Sequence, residues 1–301
     1  MRANLSNPNA SREAKRLYQY LCAMEGKGIL AGQQECPNPG QFGSEMRYIK
    51  ALTGTLPAIR GLDFIHNDFE GVVRRSKAWW KQGGIVSICW HWGTPPDGVG
   101  YPSSQGQIDM EEALTPGTAL HEAMLARLDE AAEALKKLCR AHVPVLWRPL
   151  HEFDGAWFWW GKGGPEAFIR LWRLMYDRYT NLHHLDNLIW VLGYDGAVRD
   201  GWFPGDDCVD IVGADTYKEG VPVPMYHRVT EVFGDRYLKC YHENGPIPEP
   251  EELMELGLHW SWFLTWHYYH IRKQNTKEKV KRIYAHPYVI TLDKLPDLTE
   301  D

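Results

Sequence analysis

The sequence predicts an α/β fold, a single (β/α)8 TIM barrel with long loops at the strand ends. From residue 28 onward, short apolar runs alternate with amphipathic stretches. The apolar runs lack the polar alternation of a half-exposed sheet, so they read as parallel strands buried on both faces. Eight such runs occur, and a chain of 301 residues has room for a barrel of about 250 with loop to spare. A doubly wound sheet is the rival, but no glycine-rich GxGxxG turn follows an early run. One domain spanning residues 1–301 is expected, with residues 1–12 as a loosely ordered N-terminal arm.

In order, the expected strands cover residues 28–34, 57–64, 84–92, 144–152, 187–193, 209–217, 237–243 and 260–267. The clearest helix is expected over 120–141, where Ala123, Leu125, Leu128, Ala132, Leu135 and Leu138 recur at helical spacing, with Thr115 and Pro116, or Thr118, as its start. The next is 165–179, with Pro165 in its first turn and Phe168, Leu171, Trp172 and Met175 on one face. Helices over 248–256 and 276–284 complete the last two units. Loops at 93–117, 153–164 and 194–208 are long and rich in Gly, Pro and Trp. They follow strands three, four and five, at the barrel face where sites are built.

Composition narrows the function. Lys and Arg total 33 against 39 Asp and Glu, a net charge of −6, with no basic track for a polyanion, so nucleic acid is not an expected partner. No apolar run reaches the roughly 18 residues of a membrane span. The first twenty residues lack the apolar stretch of a secretory signal, which leaves a secreted protein with its signal removed or a cytoplasmic one. The six cysteines are scattered without CxxC spacing and read mostly as small buried hydrophobes. The unusual feature is aromatic: 14 Trp and 15 Tyr, many beside glycines and charges, suggest a flat-faced, partly apolar ligand.

Two strand ends carry the chemistry. His151 and Glu152 emerge at the end of the fourth strand, and His242 and Glu243 at the end of the seventh. A buried carboxylate needs a partner or a purpose, and the bland alternative is an ion pair of Glu152 with Arg148. Two glutamates facing each other across a barrel mouth supply what glycoside hydrolysis requires, and a gap of about 5–5.5 Å between them forces retention of configuration. Phe153, Trp157 and Phe158 supply apolar surroundings suited to a proton donor at Glu152, and Tyr217 can offer a hydroxyl to a nucleophilic Glu243. Neither His-Glu pair continues to HExxH, no GxSxG elbow occurs, and residues 161–164 lack the spacing of a phosphate loop. His183 and His184 fall at a helix end, where solvation explains them better than a metal. No metal or organic cofactor is expected. Flat rings at Trp157, Phe158, Trp159, Trp160 and Trp266, and at Trp90 and Trp92 on either side of His91, can stack on the C–H face of a pyranose. Alternation assigns about half of these to the core instead, and Trp172, inside a helix, is expected there.

The sequence resembles glycoside hydrolase family 26, whose best-known members are β-mannanases. The resemblance runs from Gly28-Ile29-Leu30-Ala31-Gly32-Gln33-Gln34 to Trp266. Its most specific parts are Trp147-Arg148-Pro149-Leu150-His151-Glu152 with Trp157-Phe158-Trp159-Trp160-Gly161, then Val212-Gly213-Ala214-Asp215-Thr216-Tyr217, then Tyr241-His242-Glu243-Asn244-Gly245. It implies a catalytic (β/α)8 domain, a retaining double displacement without metal or organic cofactor, and a β-mannan polysaccharide or oligosaccharide as substrate; a monomer is expected. It also implies Glu152 as acid/base, Glu243 as nucleophile, His151 on the reacting sugar, Tyr217 on the nucleophile, Trp266 beneath the sugar, His91 in the same subsite and Trp157 on the acid's side. Some members carry an arginine where His267 stands, which bears on the subsites beyond the cleaved bond. The same machinery acting on β-1,3-xylan or mixed-linkage glucan, and a non-catalytic carbohydrate-binding barrel, are the alternatives.

Overall fold

A computed structural model describes residues 4–299. Eight parallel strands close on themselves: β1 (Ile29–Gln34), β2 (Ile59–Asp63), β3 (Ile85–Cys89), β4 (Val145–Arg148), β5 (Leu188–Tyr194), β6 (Ile211–Thr216), β7 (Leu238–Asn244) and β8 (Trp262–Thr265). Each pairs in parallel with the next, and β8 returns to β1 through Leu30 opposite Trp262 and Gln33 opposite Thr265. A short β9 (Val289–Ile290), absent from the sequence expectation, adds to the first residues of β1.

Every residue of β1, β3, β4, β5, β7 and β8 is buried, as strands covered by helices on one side and packed barrel on the other require. The long helix runs from Ala119 to Cys139, and its N-cap Thr118 accepts the N–H of His121. It buries Met124, Leu128, Ala131, Ala132, Leu135 and Leu138, while Ala123 and Leu125 are only half-buried. The helix Gly164–Asp177 buries Phe168, Leu171, Trp172 and Met175, and passes into a wider turn over Arg178–Leu182. His183 at that helix end bonds Asp129.

Residues 1–12 are not a loose arm where they are described. Leu5 and Ala10 are buried, the Ser6 N–H reaches Asp210 Oδ1, and Asn7 donates to Asp186 at 3.0 Å. Ser11 then caps the helix Arg12–Met24. The segment has few apolar residues, but each of these polar groups finds a partner at the foot of the barrel. Among the described residues no helix is long and apolar enough to cross a membrane.

Candidate active site

The fourth strand ends sooner than its apolar run suggests. Pro149 cannot continue the ladder, and the chain leaves β4 through Leu150 and Glu152, both left-handed at φ 49° and 53°. The Glu152 N–H still reaches Gly193 O at the end of β5, 2.7 Å away, which holds the residue at the barrel mouth. A single 3-10 turn, Phe153–Gly155, follows.

Glu243 arrives by a different device. In a regular strand His242 and Glu243 would face opposite sides. The pairing of β6 with β7 slips between Ala214 and Asp215: Ala214 lies opposite Tyr241, whereas Asp215 lies opposite Glu243. This bulge turns both His242 and Glu243 toward Arg148, since bulges re-aim side chains in this way. Arg148 Nη1 donates to His242 Nδ1 at 3.1 Å, and Nη2 pairs with Glu243 Oε2 at 2.9 Å. The arginine therefore serves Glu243 and not Glu152. His242 is neutral, its pKa pushed well down by burial and then by Arg148, and it passes its Nε2–H to Tyr194 O.

The Tyr217 hydroxyl donates to Glu243 Oε1. Trp157 Nε1–H donates to Glu152 Oε2 at 2.8 Å. One oxygen each of Glu152, Asp215 and Glu243 lies within 4.8 Å of the others, so the two strand-end glutamates converge with a third carboxylate beside them. Glu152 is 9 % exposed and Glu243 4 %. An opening of about 510 Å³ on one side is lined by His91, Tyr101, Phe158, Tyr217, Glu243 and Trp266 among others. A second, of about 670 Å³, is lined by Trp157, Asp195, Asp215, Lys218 and Met225 among others. Glu152 and Tyr217 border both, so one groove crosses the mouth with the carboxylates at its middle.

The family model "Glycosyl hydrolase family 26" matches residues 6–294. The chain belongs to glycosyl hydrolase family 26. Among relatives, it is 36% identical to a mannan endo-1,4-beta-mannosidase of Thermothelomyces thermophilus, over 97% of this chain and 63% of the relative. It is 32% identical to mannan endo-1,4-beta-mannosidase A of Piromyces sp, over 99% of this chain and 51% of the relative. The chain thus spans between half and two thirds of the length of these relatives. A β-mannanase from a symbiotic protist of the termite Reticulitermes speratus, solved with a gluco-manno-oligosaccharide, superposes with a TM-score of 0.92 at 32% identity, over 99% of this chain and 98% of that one. The Podospora anserina GH26-CBM35 β-(1,4)-mannanase gives 0.91 at 34%, over 99% and 70%.

Two of the residues expected to touch sugar in this family 26 groove do not line it. Trp92 is 1 % exposed, stacks on Trp90 at 4.6 Å and meets Trp159 edge-on. His91 takes the groove side at the end of β3, and its two tryptophan neighbours face the layer behind. His151 is 0 % exposed; it lies behind His91, with the two Nε2 atoms 3.3 Å apart. Trp159 and Trp160 are likewise core, their indole N–H groups donating to Trp92 O and His151 O. Phe153 also turns inward, onto Phe168 at 4.0 Å, leaving Trp157 and Phe158 beside Glu152. His91, Trp157, Tyr217 and Trp266 do line the groove.

Sequence reasoning passes over two acids. Asp63 ends β2 and holds His91 Nδ1 at 2.6 Å. Burial disfavours charge on both, but their mutual attraction overrides it, so Asp63 sits below and His91 above its ordinary value. Asp215, read only as part of a motif, brings a carboxylate oxygen within 4.8 Å of Glu152; burial first and the neighbouring Glu152 second push its carboxyl well above the usual range. Both occupy strand ends, the placement that singled out Glu152 and Glu243. Asp63, Cys89 and His91 form one potential ligand triad for a metal, and Glu152, Asp215 and Glu243 another. The fixed charge of Arg148 acts on Asp63, Cys89 and Glu243 alike and opposes a cation at either.

Proposed function

We propose that the chain is a retaining endo-β-1,4-mannanase, a single catalytic domain over residues 1–301, acting outside the cell as a monomer on mannan, glucomannan or galactomannan. The observation that carries this reading is the approach of Glu152 and Glu243 within 4.8 Å in the middle of an open groove. Carboxyl groups this close leave no room for a water between nucleophile and sugar, which favours double displacement. The names of the relatives supply the choice of mannan.

Glu243 attacks the anomeric carbon. Arg148 and Tyr217 support its charge against burial, which pushes its pKa upward. As the carbon–oxygen bond to the leaving sugar breaks, Glu152 gives that oxygen its proton. In the second step Glu152 takes a proton from water, the water oxygen bonds the anomeric carbon, and the Glu243 carboxylate is released. Trp266 and His91 wall the sugar being cleaved, and Trp157 meets the departing one. His151 and Trp92 act from behind by holding His91 and its strand end.

The test is Glu243→Ala on soluble galactomannan, with the anomeric configuration of parent products followed by proton NMR. A loss of at least about 1,000-fold in kcat and first appearance of the β-anomer are expected. Near-parental turnover in the variant, or first appearance of the α-anomer, would refute the mechanism. Rates on β-1,3-xylan and mixed-linkage glucan that match those on mannan would refute the substrate.

A further inference from the structure

Asp154 stands two residues beyond Glu152, is 3 % exposed and borders neither opening of the groove. Its carboxylate accepts two backbone N–H groups from the segment that follows β5: Asp195 N–H at 2.8 Å on Oδ1 and Arg199 N–H at 3.1 Å on Oδ2. Its carbonyl accepts Arg199 Nη1 at 2.6 Å, and the same nitrogen donates to Asp195 Oδ2 at 2.7 Å. Three of these bonds lash the turn Phe153–Gly155 to residues 195–199, and the fourth fixes the Arg199 side chain within that segment. The turn has need of them. Leu150, Glu152 and Ala156 all have positive φ (49°, 53° and 61°), a region that side chains other than glycine's rarely adopt and that persists only when the surroundings impose it. The other end of the lashing is in the groove itself, since Asp195, Gly196 and Ala197 line the opening on the Trp157 side.

We propose that Asp154 is a positioning residue for the proton donor: clamped with Arg199 and Asp195, it fixes where the Glu152 carboxyl stands relative to the wall that receives the departing sugar. The inference rests on the reading of Glu152 as acid/base. Proton donation demands closer placement than holding a chain in a groove, and a displacement of about 1 Å is enough to cost on the order of 100-fold. Asp154→Asn keeps the shape but turns one acceptor into an NH2 group facing an N–H. Arg199→Gln leaves both carboxylate bonds and removes the bridge, from a side chain that is half exposed.

The experiment compares kcat/KM on mannohexaose, whose leaving sugar must be protonated, with kcat/KM on 2,4-dinitrophenyl β-mannobioside, whose leaving group needs no proton. Asp154→Asn is expected to lose about 10- to 100-fold on mannohexaose and less than about 3-fold on the aryl substrate, with Arg199→Gln shifted the same way by a smaller factor. Equal losses on the two substrates, or no loss on mannohexaose, would overturn the inference. If Asp154→Asn does not fold, Arg199→Gln decides by the same ratio. Glu152→Ala run alongside separates the two readings. A mannohexaose-selective loss there with none in the clamp variants sinks the positioning role alone, and an equal loss in Glu152→Ala sinks the acid assignment.

Discussion

Burial first, and the neighbouring Glu152 second, raise the Asp215 carboxyl well above its ordinary value of 3.8, so it holds its proton to higher pH in the folded protein than in the unfolded chain. Folding therefore takes up a proton at this residue. The stability it contributes is complete below that ordinary value and is lost as pH rises toward the folded-state value, about 1.4 kcal/mol for each tenfold gain in proton affinity on folding. Glu243 is displaced in the same direction. Calorimetry should find that Asp215→Asn lessens the loss of melting temperature on raising the pH above the ordinary aspartate value, relative to the parent; a pH dependence identical to the parent's would contradict this. The two glutamates are readable from sequence because each follows an apolar run directly, and Tyr217 because it ends the neighbouring one. The pairing of Arg148 with Glu243 is not, since it depends on which way a bulged strand turns its side chains. His151 and Trp92 escape sequence reasoning for a similar reason: adjacency to a groove residue along the chain puts a side chain on the opposite face as readily as beside it.

Element boundaries follow the same physics. The helix Ala119–Cys139 starts within a residue of its expected start because Thr118 is a visible cap and the apolar spacing behind it is regular. Thr118→Ala should cost about 1 kcal/mol in urea denaturation while leaving kcat intact, because the helix lies on the flank of the barrel. A fall in kcat at saturating substrate would show instead that the helix supports the groove. Except for β5 and β7, the strands are shorter than their apolar runs, most of all β4, where the last four expected residues form the exit to Glu152. Hydrophobicity reports burial, and burial continues past the point where Pro149 ends the ladder. The two-residue β9 has no pattern long enough to be seen, and the bulge in β7 leaves no mark in composition.

The whole molecule is closed by its own ends. The described N-terminal segment anchors on Asp210, just before β6, while β9 adds to the start of β1 and Thr291 bridges to Pro57 before β2. Arg16 of the first helix bonds Leu298 O at 3.2 Å, so the two ends meet. Over its described residues, the arm expected to be loose is thus a structural strap. Deleting residues 1–11 should lower stability by about 2–3 kcal/mol, the burial of Leu5 and Ala10 plus the bonds to Asp210 and Asp186. Turnover at 25 °C should remain; an unaltered melting temperature would show that the strap contributes nothing. The strand order itself is legible, because eight buried runs alternating with amphipathic stretches leave few ways to close. All these fastenings lie at the foot of the barrel, and the groove lies at its mouth. A bead, a cell surface or a fusion partner tethered to either terminus would therefore hold the molecule from below, with its carboxylates turned outward to meet a passing polymer.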